Sequence, residues 1–208
     1  MDFSKRITEC NLSPMRKFHT AAEQAKARGI KIYQMNIGQP DIVTPTAYFD
    51  AVRSFSQPTL AYAPSPGIPV LIQQMIRYYQ GLGVAYEPED LLITTGGSEA
   101  LSILLHCILD PGSEVIIPEP FYPNYNTFVK TAGGVVRPLT TSVNEGYFYA
   151  DRAQLEALIN ENTRAIMFTN PGNPTGAVLS EPQMRVIADV AKAHNLFVIG
   201  DEVYREFV

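Results

Sequence analysis

The chain has 208 residues, 46% of them apolar and 18% charged, with 16 basic against 21 acidic side chains and a formal net charge of −5. That profile excludes disordered, collagenous and fibrous classes, and a chain of this length buries roughly 70% of its unfolded surface without disulfide or metal staples. The acidic balance and the lack of a Lys/Arg run argue against nucleic acid as a partner; no apolar stretch reaches the ~20 residues of a membrane helix, and Cys10 and Cys107, far apart, fit a reducing, cytoplasmic setting better than a disulfide or zinc framework.

In chain order, residues 14–29 read as a helix that stops at Gly29 after Lys26 and Arg28 in its last turn. Residues 30–37 alternate like a strand. The stretch 44–69, with Pro45, Pro58, Pro64, Pro66 and Pro69, reads as loop around one short helix at 47–54, and a further helix covers 70–79. From Asp90 the pattern is regular: strand 91–94, helix 98–109, strand 114–117, helix 124–131 closed by Gly133-Gly134, strand 135–139. A helix at 152–159 follows, opened by Asp151 with Gln154 as a capping box, then strand 165–169. A last helix to His194 is capped by Ser180 and Gln183 and leads into strand 196–200. Strands alternating with helices predict an α/β fold, a mostly parallel sheet with helices on both faces.

In such sheets ligands bind at the carboxyl ends of the strands, and four segments there stand out. The Gly96-Gly97-Ser98 turn opens into a helix and suits a phosphate, or is a tight turn with Ser98 as a simple N-cap. Asn170-Pro171-Gly172-Asn173-Pro174-Thr175-Gly176 is either a rigid loop presenting amides or an ordinary turn-rich connection. Asp201, at the tip of an apolar strand, is costly unless it meets a cation, a donor or water, or serves as a helix N-cap. Tyr204, three residues on, can bring a phenol to the same place. Tyr122, between prolines, is a stacking surface or plain packing. His19, His106 and His194 lie on helices without metal-ligand spacing, so no metal is expected.

Gly97-Ser98-Glu99-Ala100-Leu101, Tyr122, Asn173-Pro174-Thr175-Gly176 and Asp201-Glu202-Val203-Tyr204 closely resemble the class I/II aminotransferases, pyridoxal-phosphate enzymes of fold type I. Asn36-Ile37-Gly38-Gln39-Pro40-Asp41 and Tyr62-Ala63-Pro64-Ser65-Pro66-Gly67 extend the likeness, in order, from about residue 30 to the end. The resemblance implies amino-group transfer between an amino acid and a 2-oxo acid in a homodimer. It puts Asp201 on the cofactor's pyridine nitrogen, where a carboxylate holds the proton that deepens the electron sink. It puts Asn173 and Tyr204 on the 3′ oxygen, Tyr122 on the ring face, and Gly97, Ser98 and Glu99 around the phosphate. Tyr62 corresponds to a tyrosine that reaches the phosphate of the neighbouring subunit, and Gly38, with Asn173, falls on the substrate side. Ile72 departs from the pattern, since relatives often carry arginine there.

A larger departure concerns lysine. The family holds its cofactor through a lysine Schiff base downstream of the aspartate–tyrosine motif, and none of Lys5, Lys17, Lys26, Lys31, Lys130 and Lys192 matches that position. The chain is therefore expected to be the amino-terminal half of such an enzyme, with residues 1–45 an arm and part of a small domain and residues 46–208 much of the cofactor domain. Two other readings stay open: a pyridoxal-phosphate lyase acting on carbon–sulfur bonds, and a non-catalytic fragment that binds the cofactor or a partner.

Overall fold

A computed structural model describes residues 2–8, 10, 17–35, 38 and 42–208. The chain forms two compact units, one of residues 15–94 and one of residues 1–14 with 95–208. The first contains helices α2 (His19–Ala27), α3 (Thr46–Ser54) and α4 (Pro69–Gly81). Proline at the first position of α4 has the preset φ that a helix start needs, and its missing N–H costs nothing there. The stripe it buries includes Ile72 and Ile76.

Two predicted strands are absent: neither the described residues 30–35 nor residues 91–94 are in strand conformation. Apolar alternation alone does not make a strand; it needs a neighbour whose ladder takes its backbone groups. Ile93 instead donates its N–H to the Pro66 carbonyl at 2.9 Å, within its own unit. Ile30, Tyr33 and Met35 of the other run are exposed.

The second unit opens with a single turn, α1 (Lys5–Thr8), and is built on α5 (Gly97–Ile108), β1 (Glu114–Glu119), α6 (Asn124–Thr131), β2 (Val135–Thr140), α7 (Arg152–Leu158), β3 (Thr163–Thr169), α8 (Glu181–Ala193) and β4 (Phe197–Asp201). The strands pair in the order β2-β1-β3-β4, all parallel. Their sequences alternate between two buried faces. Val115, Ile117, Ala165, Met167 and Ile199 pack with Leu101 and Leu105 of the α5 stripe, with Leu109 just after it, and with Tyr125 and Val129 of α6. Ile116, Ile166 and Phe168 pack on the other side with Leu155 of α7 and Ile187, Val190 and Ala191 of α8. The α6 crossover runs to one side of β1 and the α7 and α8 crossovers to the other. Keeping every crossover right-handed therefore requires α6 on one face and α7 and α8 on the opposite one.

Local chemistry sets the helix ends. Ser180 and Gln183 make the reciprocal capping box predicted for α8, and the Asp151 carboxylate accepts the Gln154 N–H at 2.8 Å at the start of α7. After α6 the chain must pass close to the core, and a Cβ on Gly134 would lie 2.7 Å from Leu109 Cδ1 and 3.1 Å from the Ser113 carbonyl. Only glycine fits there without moving a neighbour. No helix among the described residues is long and apolar enough to cross a membrane.

Candidate active site

Strand order reverses between β1 and β3, so the loops leaving their carboxyl ends diverge and open a crevice. The candidate residues collect at this edge because of strand periodicity. In β4, Asp201 shares a face with buried Ile199; in β3, Thr169 shares a face with buried Met167. The ladder pairs Thr169 directly with Asp201. Both therefore emerge on the α5/α6 face, where Tyr125 comes in from the first turn of α6.

Three side chains then form one chain of hydrogen bonds. Tyr125 donates to Asp201 Oδ2 at 2.6 Å and lies 2.6 Å from Thr169 Oγ1. Its single proton goes to the carboxylate, so the Thr169 hydroxyl donates to the phenol oxygen. Asp201 Oδ1 accepts the Val203 N–H at 3.2 Å. The cost of a carboxylate at an apolar strand tip is thus met by donors, one of the outcomes left open above. Tyr125 is only 1% exposed. Burial first, and the neighbouring Asp201 carboxylate second, push its phenol far above the ordinary value, with Thr169 pulling partly back. The phenol stays protonated and remains a donor throughout the physiological range.

Burial alone also raises Tyr149. A tyrosine pKa that is higher folded than unfolded adds stability that is complete below about pH 10 and drains away as the pH climbs further. Of the 11 tyrosines, we expect these two to ionise only as the chain unfolds. Phenolate absorbance followed up to pH 12 checks this, and eleven phenols titrating together and reversibly near pH 10 would contradict it.

Asn173 reaches the same edge on the loop after β3. The loop is braced internally: Gly172 N–H donates to the Ala177 carbonyl at 2.7 Å, Gly176 N–H to the Gly172 carbonyl at 2.8 Å, and Leu179 N–H to Asn170 Oδ1 at 2.9 Å. It is tied to β4 by Asn170 N–H donating to the Asp201 carbonyl at 3.0 Å. Asn173 Nδ2 donates to the Tyr204 hydroxyl at 3.4 Å, so the two residues paired by the resemblance do meet. Tyr122 sets its ring edge-on to Tyr125, centroids 5.5 Å apart, and its hydroxyl accepts from Asn124 Nδ2 at 2.7 Å.

The start of α5 differs in detail from the expectation. Gly96 is the N-cap and Ser98 lies inside the first turn, so Ser98 is not the cap. Glu99 bends back to accept the Thr95 N–H at 2.5 Å. Gly96 has φ 81° and ψ 171°, a conformation essentially closed to other residues. The N–H groups of Gly97, Ser98 and Glu99 have no intrahelical acceptor at a helix start. A Cβ placed on Gly97 would meet nothing within 4 Å, so open space adjoins this turn. Tyr62 and Gly38 belong to the other unit and are exposed there. The rest of the Asn36–Asp41 motif lies outside the described residues.

Tyr125 and Thr169 are the residues that sequence reasoning missed. Tyr125 carried one available signal, its place three residues after Tyr122 on an amphipathic helix. Nothing in the spacing announced that its hydroxyl would meet a carboxylate 76 positions away.

Residues 30–208 match the aminotransferase class I and II family, and the chain belongs to that family. Among its relatives, the putative aminotransferase YugH of Bacillus subtilis is 34% identical, covering 98% of this chain and 52% of the relative. The aspartate aminotransferase of Geobacillus stearothermophilus is 31% identical over 99% of this chain and 53% of its own length. The solved aspartate aminotransferase of Thermotoga maritima superposes with a TM-score of 0.93 at 28% identity, covering 99% of this chain and 55% of that one. The Thermus thermophilus enzyme solved with maleate gives 0.90 at 32% identity, covering 98% and 54%. The chain spans about half the length of the curated relatives it matches.

Proposed function

We propose that this chain carries the pyridoxal-phosphate-binding half of an aminotransferase that moves an amino group between an amino acid and a 2-oxo acid, working as a homodimer. The observation that carries the reading is the Thr169–Tyr125–Asp201 chain, which anchors one carboxylate at the crevice edge with a buried, always-protonated donor behind it. Bound pyridoxal phosphate supplies an electron sink that is deepest when its ring nitrogen is protonated. Asp201 holds that proton. Asn173 and Tyr204 bind the 3′ oxygen as a pair, Tyr122 covers a ring face, and the open N–H groups of Gly97, Ser98 and Glu99 bind the phosphate with the positive end of α5 behind them. Tyr62 of one subunit serves the phosphate of the other, and Gly38 with Asn173 receives the substrate carboxylate. None of the six lysines is assigned to the cofactor. Residues 46–208 contribute to the cofactor domain and residues 1–45 to an arm and small domain.

The deciding experiment incubates the natural full-length protein with pyridoxal phosphate, aspartate (the donor in several relatives' names) and 2-oxo acids, and in parallel with a sulfur amino acid. New amino acid and new 2-oxo acid in equal amounts are expected. Ammonia and thiol released from a sulfur amino acid instead would establish the lyase reading, and no cofactor uptake would overturn both.

Two neighbouring glycines test the phosphate assignment. Gly96→Ala is expected to destabilise the fold by about 1–3 kcal/mol, from backbone strain alone. Gly97→Ala sits in helical backbone with open space around its methyl, so it should fold as well as the parent yet bind pyridoxal phosphate about tenfold more weakly. Unchanged affinity in the Gly97 variant would remove the phosphate from this turn.

A further inference from the structure

We propose that Asn170 is a positioning residue for the cofactor: its side chain clamps the loop that carries Asn173 and so sets where the Asn173 amide meets the 3′ oxygen. This role rests on the function proposed above, which gives Asn170 no part. Two groups reach the ring from different strands, Asp201 at the end of β4 and Asn173 on the loop after β3. Their spacing is decided where those strands end. Asn170 follows Thr169, whose ladder partner is Asp201, and it bonds in two directions from there. Its N–H donates to the Asp201 carbonyl at 3.0 Å, and its Oδ1 accepts the Leu179 N–H at 2.9 Å.

The second bond closes the loop at its base. Between those ends the loop is stiff, with Gly172 bonded to Ala177, Gly176 to Gly172, and the Ala177 N–H donating to Thr175 Oγ1 at 3.2 Å. It also has no slack: a Cβ on Gly172 would lie 2.5 Å from Thr175 Oγ1 and 3.3 Å from the Ala177 carbonyl oxygen. A segment stiff within itself moves as one piece, so its attachments decide where Asn173 sits. The bond from Asn173 Nδ2 to the Tyr204 hydroxyl is long, 3.4 Å, and too weak to fix the loop by itself. Truncating the Asn170 side chain opens the base of the loop. The bond to the Asp201 carbonyl, made by backbone, remains, and Leu179 still packs against the core cluster of Ile187 and Val190, so the variant should fold.

The test measures dissociation constants on the natural full-length protein stripped of cofactor, for pyridoxal phosphate and for its analogue lacking the 3-hydroxyl. The readout is the ratio of the two, the preference for the 3′ oxygen, in the parent, Asn170→Ala, Asn173→Ala and the double variant. Asn173→Ala should cut that preference about fivefold, the size of one net hydrogen bond, and Asn170→Ala about threefold. The double variant should lose no more than Asn173→Ala, because a residue that acts through Asn173 then has nothing to act on. Asn170→Asp, which keeps an acceptor for the Leu179 N–H, should restore the parental preference. An unchanged ratio in Asn170→Ala, with both ligands weakened alike, overturns the positioning role, and so do losses that multiply in the double variant. Fast hydrogen exchange at the Leu179 amide of the cofactor-free parent overturns the clamp even if the alanine variant fails to fold. If the parent binds neither ligand, the functional proposal fails too; if it binds pyridoxal phosphate and Asn173→Ala keeps the full preference, only the Asn173 assignment and its clamp fail.

Discussion

Asp201→Asn in the natural full-length protein is expected to lower turnover by at least about a hundredfold, the scale of losing a preorganised charge at a reacting centre, while circular dichroism stays that of the parent. Asparagine keeps an oxygen where Oδ2 accepts from Tyr125, so that bond survives while the negative charge and the acceptor for the Val203 N–H are lost. That makes it a cleaner variant than Asp201→Ala, which also strands the Tyr125 hydroxyl and should cost a further ~1–3 kcal/mol of stability. The measurement is kcat/KM for amino transfer beside a melting curve. Near-parental turnover in the asparagine variant would remove Asp201 from the ring nitrogen.

Tyr125→Phe acts from one residue further back. The ring stays, so the packing of α6 with Leu105 and Met167 is kept. What goes is the donor to the half-buried Asp201 and the acceptor for the buried Thr169. The expected loss is about 2 kcal/mol by denaturant titration, within the range for a hydrogen bond to a charged partner. Turnover should fall about tenfold with the KM for the amino donor little changed, because the carboxylate is less firmly positioned while the substrate contacts remain. Loosening of the whole site would raise KM as well, and a variant equal to the parent in stability and turnover would reduce Tyr125 to packing.

The helices other than the single turn α1, and the four paired strands, were readable because each carries its own periodicity and stop signals. Residues 124–131 are a helix with Gly133 and Gly134 at its end, as the pattern indicates, and Ser180 and Gln183 form their box. The misreadings came where a local pattern needed a distant partner. Residues 91–94 look like a buried strand in composition, but Ile93 bonds to the Pro66 carbonyl instead of a ladder. Ser98 looks like an N-cap, but Gly96 reaches the ε region of backbone space and starts α5 one residue earlier.

The candidate site divides along the same line. Asn173, Asp201 and Tyr204 could be picked out in the sequence because turn chemistry and strand ends are local properties, and their order along the chain carries the family likeness. Residues 44, 76 or 31 positions apart find each other only through register. Once β3 and β4 pair Thr169 with Asp201, the two-residue period sends both side chains to the α6 face. Packing the α6 stripe against that face then brings the Tyr125 hydroxyl to the carboxylate. Which residues could do chemistry was written in their types and neighbours. Which of them touch depended on how two sheet faces and two layers of helices close on one another.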